Sequence, residues 1–500
     1  MSLQEYFSPF REQIIGIDKT FSTPYGDKKI LYADWTASGR LYKPIEERLQ
    51  KEIGPFVGNT HTETSVTGSS MTMAYHHALK SIKKHVGAYD KDVIISSNSG
   101  MTGVANKFQR ILGLKIHEKY KNLVQLGEEE RPIIFVTHME HHSNQTSWIE
   151  TVADIEIIQA DDEGLVDLNH FAELLETYKN RKTKIAAVTS CSNVTGVFTP
   201  YHTIAEMVHK AGGLCFVDFA ASAPYIEVNM RPENKLQHLD AIYFSPHKFL
   251  GGPSGTGVLI FDPVLYTNKI PDNPGGGTVS WTNPWGEHKY IEDIEAREDG
   301  GTPAFLQTMR VALSMKLKEE MGVENIRARE EELLEIIWDK LESISNLHIL
   351  AENIKHRLPI ISFYVDDLHY NLMVKLLNDR YGIQVRGGCS CAGTYGHYLL
   401  HVDPDRSANI TKMIDQGDLS YKPGWVRLSL HPTITDEEVR FIGDAIAEVA
   451  ANHQEWGKEY VYNNKMNEFF HTTFADGTEQ MVKEWFEEDL IKAHLKAEIR

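Results

Sequence analysis

The sequence predicts an α/β fold: a large domain built on a mostly parallel sheet of seven strands, followed by a smaller C-terminal α/β domain. Two observations predict it. Between Val93 and Phe261 seven short apolar runs recur, several separated by stretches of helical period. From Gly301 onward the pattern changes to long helices followed by short strand-like pieces. Continuous rather than alternating apolar runs are how strands covered on both faces read, which favours parallel pairing.

Taken in order, the strand candidates are "VIISS", "IIFVT", "IEIIQ", "IAAVTS", "LCFVDFA", "AIYFS" and "GVLIF". Between them lie "LNHFAELLETY" and "YHTIAEMVHKAG", amphipathic at helical spacing, the second stopped by Gly212 and Gly213. After Gly301 come "TPAFLQTMRVALSMKLKEEMG" and "NIRAREEELLEIIWDKLESI", then "ISFYV". These divide the chain into a large domain with its N-terminal segment over 1–300, a small domain over 301–451, and an extension over 452–500 of no evident role. No internal repeat or low-complexity linker interrupts them.

At 500 residues with 41% hydrophobic content, the chain can bury more than one core. Its net charge of −19 disfavours nucleic acid as a partner. The opening "MSLQEYFSPFREQ" has no signal pattern and no stretch is apolar enough for a membrane span, so a cytoplasmic protein is expected. Four cysteines, Cys191, Cys215, Cys389 and Cys391, are too few and too uneven for a disulfide framework.

In open parallel sheets, ligands sit beyond the carboxyl ends of the strands. Those positions hold "SNSGMTG", "THMEHHSNQ", "TSCSNVTG", "VDFAAS" and "SPHK". Lys248 follows a buried strand, where desolvation favours the neutral, nucleophilic amine; a surface lysine in a turn is the plain alternative. Asp218 ends another strand, where a carboxylate needs a buried cation such as a protonated pyridine nitrogen, or else caps a loop. Thr102 opens a helix whose N-terminus could hold a phosphate, or is merely near an N-cap. His141 offers a flat ring, and Asn193 either a donor or a turn former. In "VRGGCSCAGTYG" the glycines suggest an exposed, mobile loop, and Arg386 brings a positive charge beside Cys389 and Cys391, whose thiolates are the reactive form. No C-x-x-C partner accompanies this pair, so no metal is expected. Arg427, on the apolar strand of "GWVRLSLHP", needs a carboxylate from a substrate or from the chain itself.

With these residues in place, the chain resembles the class V aminotransferase family of pyridoxal-phosphate enzymes, and within it the cysteine desulfurases and selenocysteine lyases. The resemblance runs from "LYADWTASGR" to "VRLSLHPTITDEEV", and "SPHK" and "RGGCSCA" are its most specific pieces. It implies fold type I, pyridoxal 5'-phosphate as cofactor and a homodimer. Lys248 would be the Schiff-base lysine and Asp218 the partner of the pyridine nitrogen. His141 would stack on the ring and Asn193 approach its phenolic oxygen. Thr102, Ser245 and His247 would hold the phosphate, with Thr278 of "GGGTV" completing the neighbouring subunit's site. Arg427 and Arg386 would receive a substrate carboxylate, and Cys391 would attack sulfur. Three features depart from the desulfurase pattern: Ala221 replaces a glutamine, a longer insert separates Cys391 from Arg427, and Cys389 stands where a histidine is common.

The resemblance implies an enzyme acting on a small amino acid by cysteine desulfuration, taking L-cysteine to alanine with a persulfide on the enzyme and a sulfur-acceptor protein as further partner. Its rivals are transamination, β-elimination and epimerisation on another amino acid. A rival of another class is a non-catalytic scaffold for a sulfur-handling partner, which the intact Lys248 and Asp218 disfavour.

Overall fold

The structure is a computed structural model that describes residues 1–490 except His61, Asn98, Asp476 and Glu488. The last ten residues of the C-terminal extension lie outside the described residues. All seven apolar runs form strands of one sheet: β1 (Val93–Ser97), β2 (Ile133–Thr137), β3 (Asp154–Ile158), β4 (Lys184–Thr189), β5 (Leu214–Asp218), β6 (Ala241–Phe244) and β7 (Gly257–Phe261). Their order is β1-β7-β6-β5-β4-β2-β3. Only β7 runs antiparallel to its neighbours, β1 and β6; the other four pairings are parallel. The continuous apolar reading has its cause here, because β2, β4, β6 and β7 are buried at every residue.

Helices cover both faces. On one side α1 (Val66–His85) packs Met71, Tyr75, Leu79 and Ile82 against Ile94, Val217 and Ile242. On the other, α2 (Gly100–Ile111) packs Val104, Phe108 and Ile111 against Ile95, Phe216 and Phe261. Each such fully buried aliphatic or aromatic side chain contributes about 1.5–3 kcal/mol. The short α3 (His142–Ile149) and α5 (Tyr201–Lys210) follow β2 and β4, with α4 (Leu168–Thr177) between them in sequence.

The predicted long helices are α6 (Phe305–Met321) and α7 (Val323–Glu342). A second core gathers Leu333, Ile337, Trp338 and Leu341 of α7 with Val439, Ile442 and Ile446 of a C-terminal helix, α8 (Asp436–Trp456). Beneath them lies a four-stranded antiparallel sheet, in the order β8 (Leu347–Ile349), β9 (Ile360–Val365), β11 (Trp425–Ser429), β10 (Arg386–Gly388).

The N-terminal segment bridges the two cores. Leu31–Tyr32 pairs in parallel with Ile383–Gln384, Ala33 enters the second core, and Asp34 forms a bridge with Ser429. The insert after Cys391 forms helices over Gly393–Leu399 and Pro404–Asp415. Beyond α8 the chain makes a hairpin, Tyr460–Asn463 with Glu468–His471, whose Asn467 side chain donates to the Tyr370 hydroxyl. No described helix is long and apolar enough to cross a membrane.

Candidate functional site

The loaded strand ends converge. A cavity of about 440 Å³ opens beyond the carboxyl ends of the central strands, lined by Thr102, His141, Asn193, Asp218, Ser245, His247, Lys248, Arg386, Cys391 and Arg427. These are all the sequence candidates but Thr278 and Cys389. Thr278 is fully buried in its own loop, where its hydroxyl donates to the Gly275 carbonyl at 2.7 Å, and it does not line this cavity.

Each side chain arrives by a definite piece of backbone. Asp218 is the last residue of β5, and Lys248 ends the 3₁₀ turn Pro246–Lys248 just after β6. His141 is the N-cap of α3, its Nδ1 accepting the Ser143 N–H at 3.1 Å. The Ser245 hydroxyl accepts the Met101 N–H at 2.9 Å, fixing the start of α2 against the lysine turn. Thr102 and Ser143 bond through their hydroxyls at 2.6 Å. From outside, the N-terminal segment holds the same turn: the Gly39 N–H donates to the His247 carbonyl at 2.9 Å. A Cβ at Gly39 would lie 2.0 Å from the Phe249 carbonyl oxygen, so no other residue permits this approach.

Burial sets the protonation of these groups. It lowers Lys248 to about 8 against the opposing pull of Asp218, so a substantial neutral fraction exists near neutrality. It raises Asp218 to about 6, although the Ala220 N–H at 2.8 Å and the Lys248 charge act the other way. Desolvation, followed by the Lys248 charge, depresses His141 to about 3 and His247 to about 4, so both rings are neutral. Under the floor, Glu140 is wholly buried and raised to about 7 by that burial. It accepts from Thr137, Asn144 and the Thr189 N–H, tying the ends of β2 and β4 to α3.

The cysteine loop departs from the sequence expectation. It is half-buried rather than exposed, and three hydrogen bonds hold it to the large sheet. His142 N–H donates to the Cys391 carbonyl at 2.8 Å, Gly393 N–H donates to His142 Nε2 at 2.8 Å, and Asn193 Nδ2 donates to the Ser390 carbonyl at 2.7 Å. Ser390 and Cys391 take left-handed φ values of 50° and 57°. Each costs of order 1–3 kcal/mol for a non-glycine residue, so the clasp maintains a strained turn. This turn also separates the two thiols. Residues two apart share a face only in extended chain, and here Cys391 lines the cavity while Cys389 packs against the main core.

Arg427 resolves the choice left open for it. Its Nη2 donates to Asp34 Oδ1 at 2.8 Å and its Nη1 to the Asn193 carbonyl at 3.2 Å, while its Nε is buried without a partner. An internal carboxylate therefore satisfies part of the guanidinium. Arg386 is its direct cross-strand partner and both residues line the cavity, so two like charges share one wall, a cost that an anionic ligand would offset. Burial lowers the Arg427 pKa despite Asp34.

Sequence reasoning missed Asp34, Glu140 and Thr36, the last of which also lines the cavity. Asp34 and Thr36 lie in "LYADWTASGR", quoted only for its resemblance, and Glu140 stands beside the chosen histidine in "MEHHSNQ".

Comparison with known proteins gives concordant results. The family model described as aminotransferase class-V matches residues 31–442. A cysteine desulfurase of Haloferax volcanii is 26% identical over 393 residues, covering 77% of this chain and 86% of the relative. A probable cysteine desulfurase of Halalkalibacterium halodurans is 27% identical over 376 residues, covering 73% and 84%. Among solved structures, the apo cysteine desulfurase of Thermococcus onnurineus superimposes with a TM-score of 0.70 at 24% identity, over 89% of this chain and 98% of that one. A cysteine desulfurase of Escherichia coli gives 0.68 at 20% identity, over 90% and 98%.

Proposed function

The chain belongs to the aminotransferase class-V family, and from that premise we propose that it is a pyridoxal-phosphate-dependent cysteine desulfurase, converting L-cysteine to alanine and leaving the sulfur as a persulfide on Cys391. The observation that carries the reading is one cavity lined by a half-buried lysine, a buried carboxyl and a cysteine thiol.

The residues present fit the cofactor. Asp218, nearly inaccessible to solvent, accepts a single N–H among the described residues and has capacity for a protonated ring nitrogen. Asn193 spends one amide N–H on Ser390, and its second can reach a phenolic oxygen. The N-cap of α2, Ser99, makes no side-chain cap, which suits a phosphate held by that helix end with Thr102, Ser245 and His247. Lys248 is the amine to hold the aldehyde carbon, and the His141 ring forms a wall for a flat group.

When bound, the cofactor supplies the electron sink that stabilises a carbanion at the amino acid's α-carbon. The chain supplies the rest. Arg386 and Arg427, both on the cavity wall, would receive the substrate carboxylate, fixing its orientation. Lys248 Nζ would take the α-proton and return it. The Cys391 thiolate attacks the substrate sulfur; the new S–S bond forms as the Cβ–S bond breaks, and that electron pair leaves with carbon, which is protonated to alanine. The same reading includes a homodimer, a proposal supported by Trp281 and Trp285, which the hairpin of Val279–Thr282 and His288–Tyr290 leaves exposed. The four free cysteines suit the cytoplasm, where a sulfur-acceptor protein would unload the persulfide.

Borohydride reduction of the cofactor-loaded protein, followed by peptide mapping, should place the label on Lys248. Incubation with L-cysteine and a thiol reductant should then yield alanine and sulfide in equal amounts. A label on any other lysine, or a keto acid as product, would overturn the assignment.

A further inference from the structure

At the opposite end of the central strands from the cavity stands a second cluster. His209 lies in the last turn of α5, while His238 and Asp240 lie in the loop that enters β6. Their two imidazole rings stack 4.1 Å apart and within 5° of parallel. His209 Nδ1 lies 2.7 Å from the Leu236 carbonyl, and His238 Nδ1 lies 2.5 Å from that of Lys235. A carbonyl only accepts, so both Nδ1 atoms carry hydrogen.

The consequence falls on Nε2. In a neutral ring protonated at Nδ1, Nε2 presents a lone pair, and both of these point at the Asp240 carboxylate, at 2.8 Å and 3.1 Å. Lone pairs facing a carboxylate repel. A cation must lie among the three groups: either a proton on each ring, giving two like-charged rings stacked face to face, or one divalent metal ion. An Nδ1–H donated to a carbonyl is the bond that orients a metal-ligating histidine. The carboxylate is held in place as well, since its Oδ2 accepts the Cys215 N–H at 2.7 Å. The three donor atoms lie within 4.8 Å of one another, and ligands around a tetrahedral zinc are about 3.3 Å apart, a difference small side-chain shifts can close. Arg231, whose charge also reaches His238, is compensated by Asp92 and Asp262. The His238 side chain is 31% exposed, leaving an entry path and room for a fourth ligand from water.

We propose that His209, His238 and Asp240 form a binding site for a borderline divalent transition-metal ion of the zinc class, which ties α5 to the starts of β5 and β6. Two imidazole nitrogens and one carboxylate oxygen suit that class. The strands it joins are those that end in Asp218 and Lys248, so its role is structural support of the cavity floor.

The test uses the cofactor-loaded full chain, stripped with a chelator and titrated with Zn²⁺ alone, with Cys389 and Cys391 changed to serine to remove competing thiols. About one Zn²⁺ per chain should bind, with nitrogen and oxygen neighbours at about 2.0–2.1 Å in X-ray absorption, and the melting temperature should rise. His238→Gln should weaken Zn²⁺ binding by about 100-fold or more, since loss of even an outer partner costs 10–100-fold. The metal-free melt of this variant should stay near that of its parent, and His209→Gln should repeat the loss of binding. Absence of Zn²⁺ binding, or binding unchanged in His238→Gln, would overturn the proposal and leave a pair of rings held by protons.

Discussion

The chemistry of single residues here is governed by how far each is removed from water. Lys248 is the clearest instance, because desolvation brings its amine to about 8 while an exposed lysine stays near 10.5. Cofactor-free protein should regain its cofactor absorbance at a rate that rises with pH and reaches half its plateau near 8, as only the neutral amine attacks an aldehyde. A rate that still climbs at pH 10 would mean the lysine is not desolvated. The two thiols, indistinguishable in "CSC", differ by placement. Cys391→Ser should abolish alanine formation, whereas Cys389→Ser should retain the first turnover, since of these two Cys391 lines the cavity and Cys389 does not. Loss of that turnover in Cys389→Ser would reverse the assignment. The resemblance chose Cys391, but the residues alone could not say why, because the separation of the two thiols depends on the left-handed φ of Ser390 and Cys391, which neither residue type favours.

Among elements, the strands and their loaded ends were legible because burial on both faces writes a continuous apolar run. The reversed direction of β7 was not, since "GVLIF" reads alike in either direction. Asp34 was hidden for a different reason: its bond to Arg427 joins positions 393 residues apart, and no local pattern records such a contact. The trio His209, His238 and Asp240 escaped likewise, one member on a helix and two in a loop. The clasp on the cysteine loop gives a test at this scale. His142→Ala removes the acceptor for the Gly393 N–H and should cost about 1 kcal/mol of stability. Alanine formation should slow while cofactor absorbance is unchanged, because the strained turn loses one of its three holds. Full activity in this variant would mean the turn needs no clasp. Burial depresses the His142 pKa, so the ring remains a neutral acceptor into mild acid.

For the molecule as a whole, neutral histidines shielded wholly or partly from water set the response to acid. Eight are depressed chiefly by desolvation: His85, His138, His141, His142, His202, His247, His369 and His431. Each binds a proton more readily when unfolded, so its stabilisation is complete above the unfolded value of about 6.5 and is lost as pH falls toward the folded one. Burial raises three carboxyls, Glu140, Asp218 and Glu330, which work in the opposite direction but are outnumbered. The urea midpoint of the cofactor-free protein should therefore fall between about pH 6.5 and 4.5. A midpoint that is flat or rises over that interval would contradict the neutral assignment of these rings. The bridging N-terminal segment has a further consequence, in the order of events at the ribosome. Asp34 emerges early, the turn that Gly39 grips more than 200 residues later, and Arg427 later still. A nascent chain arrested after β7 holds all seven strands of its sheet but neither arginine of the cavity, so on the proposed reading it cannot receive a substrate carboxylate until synthesis has passed Arg427.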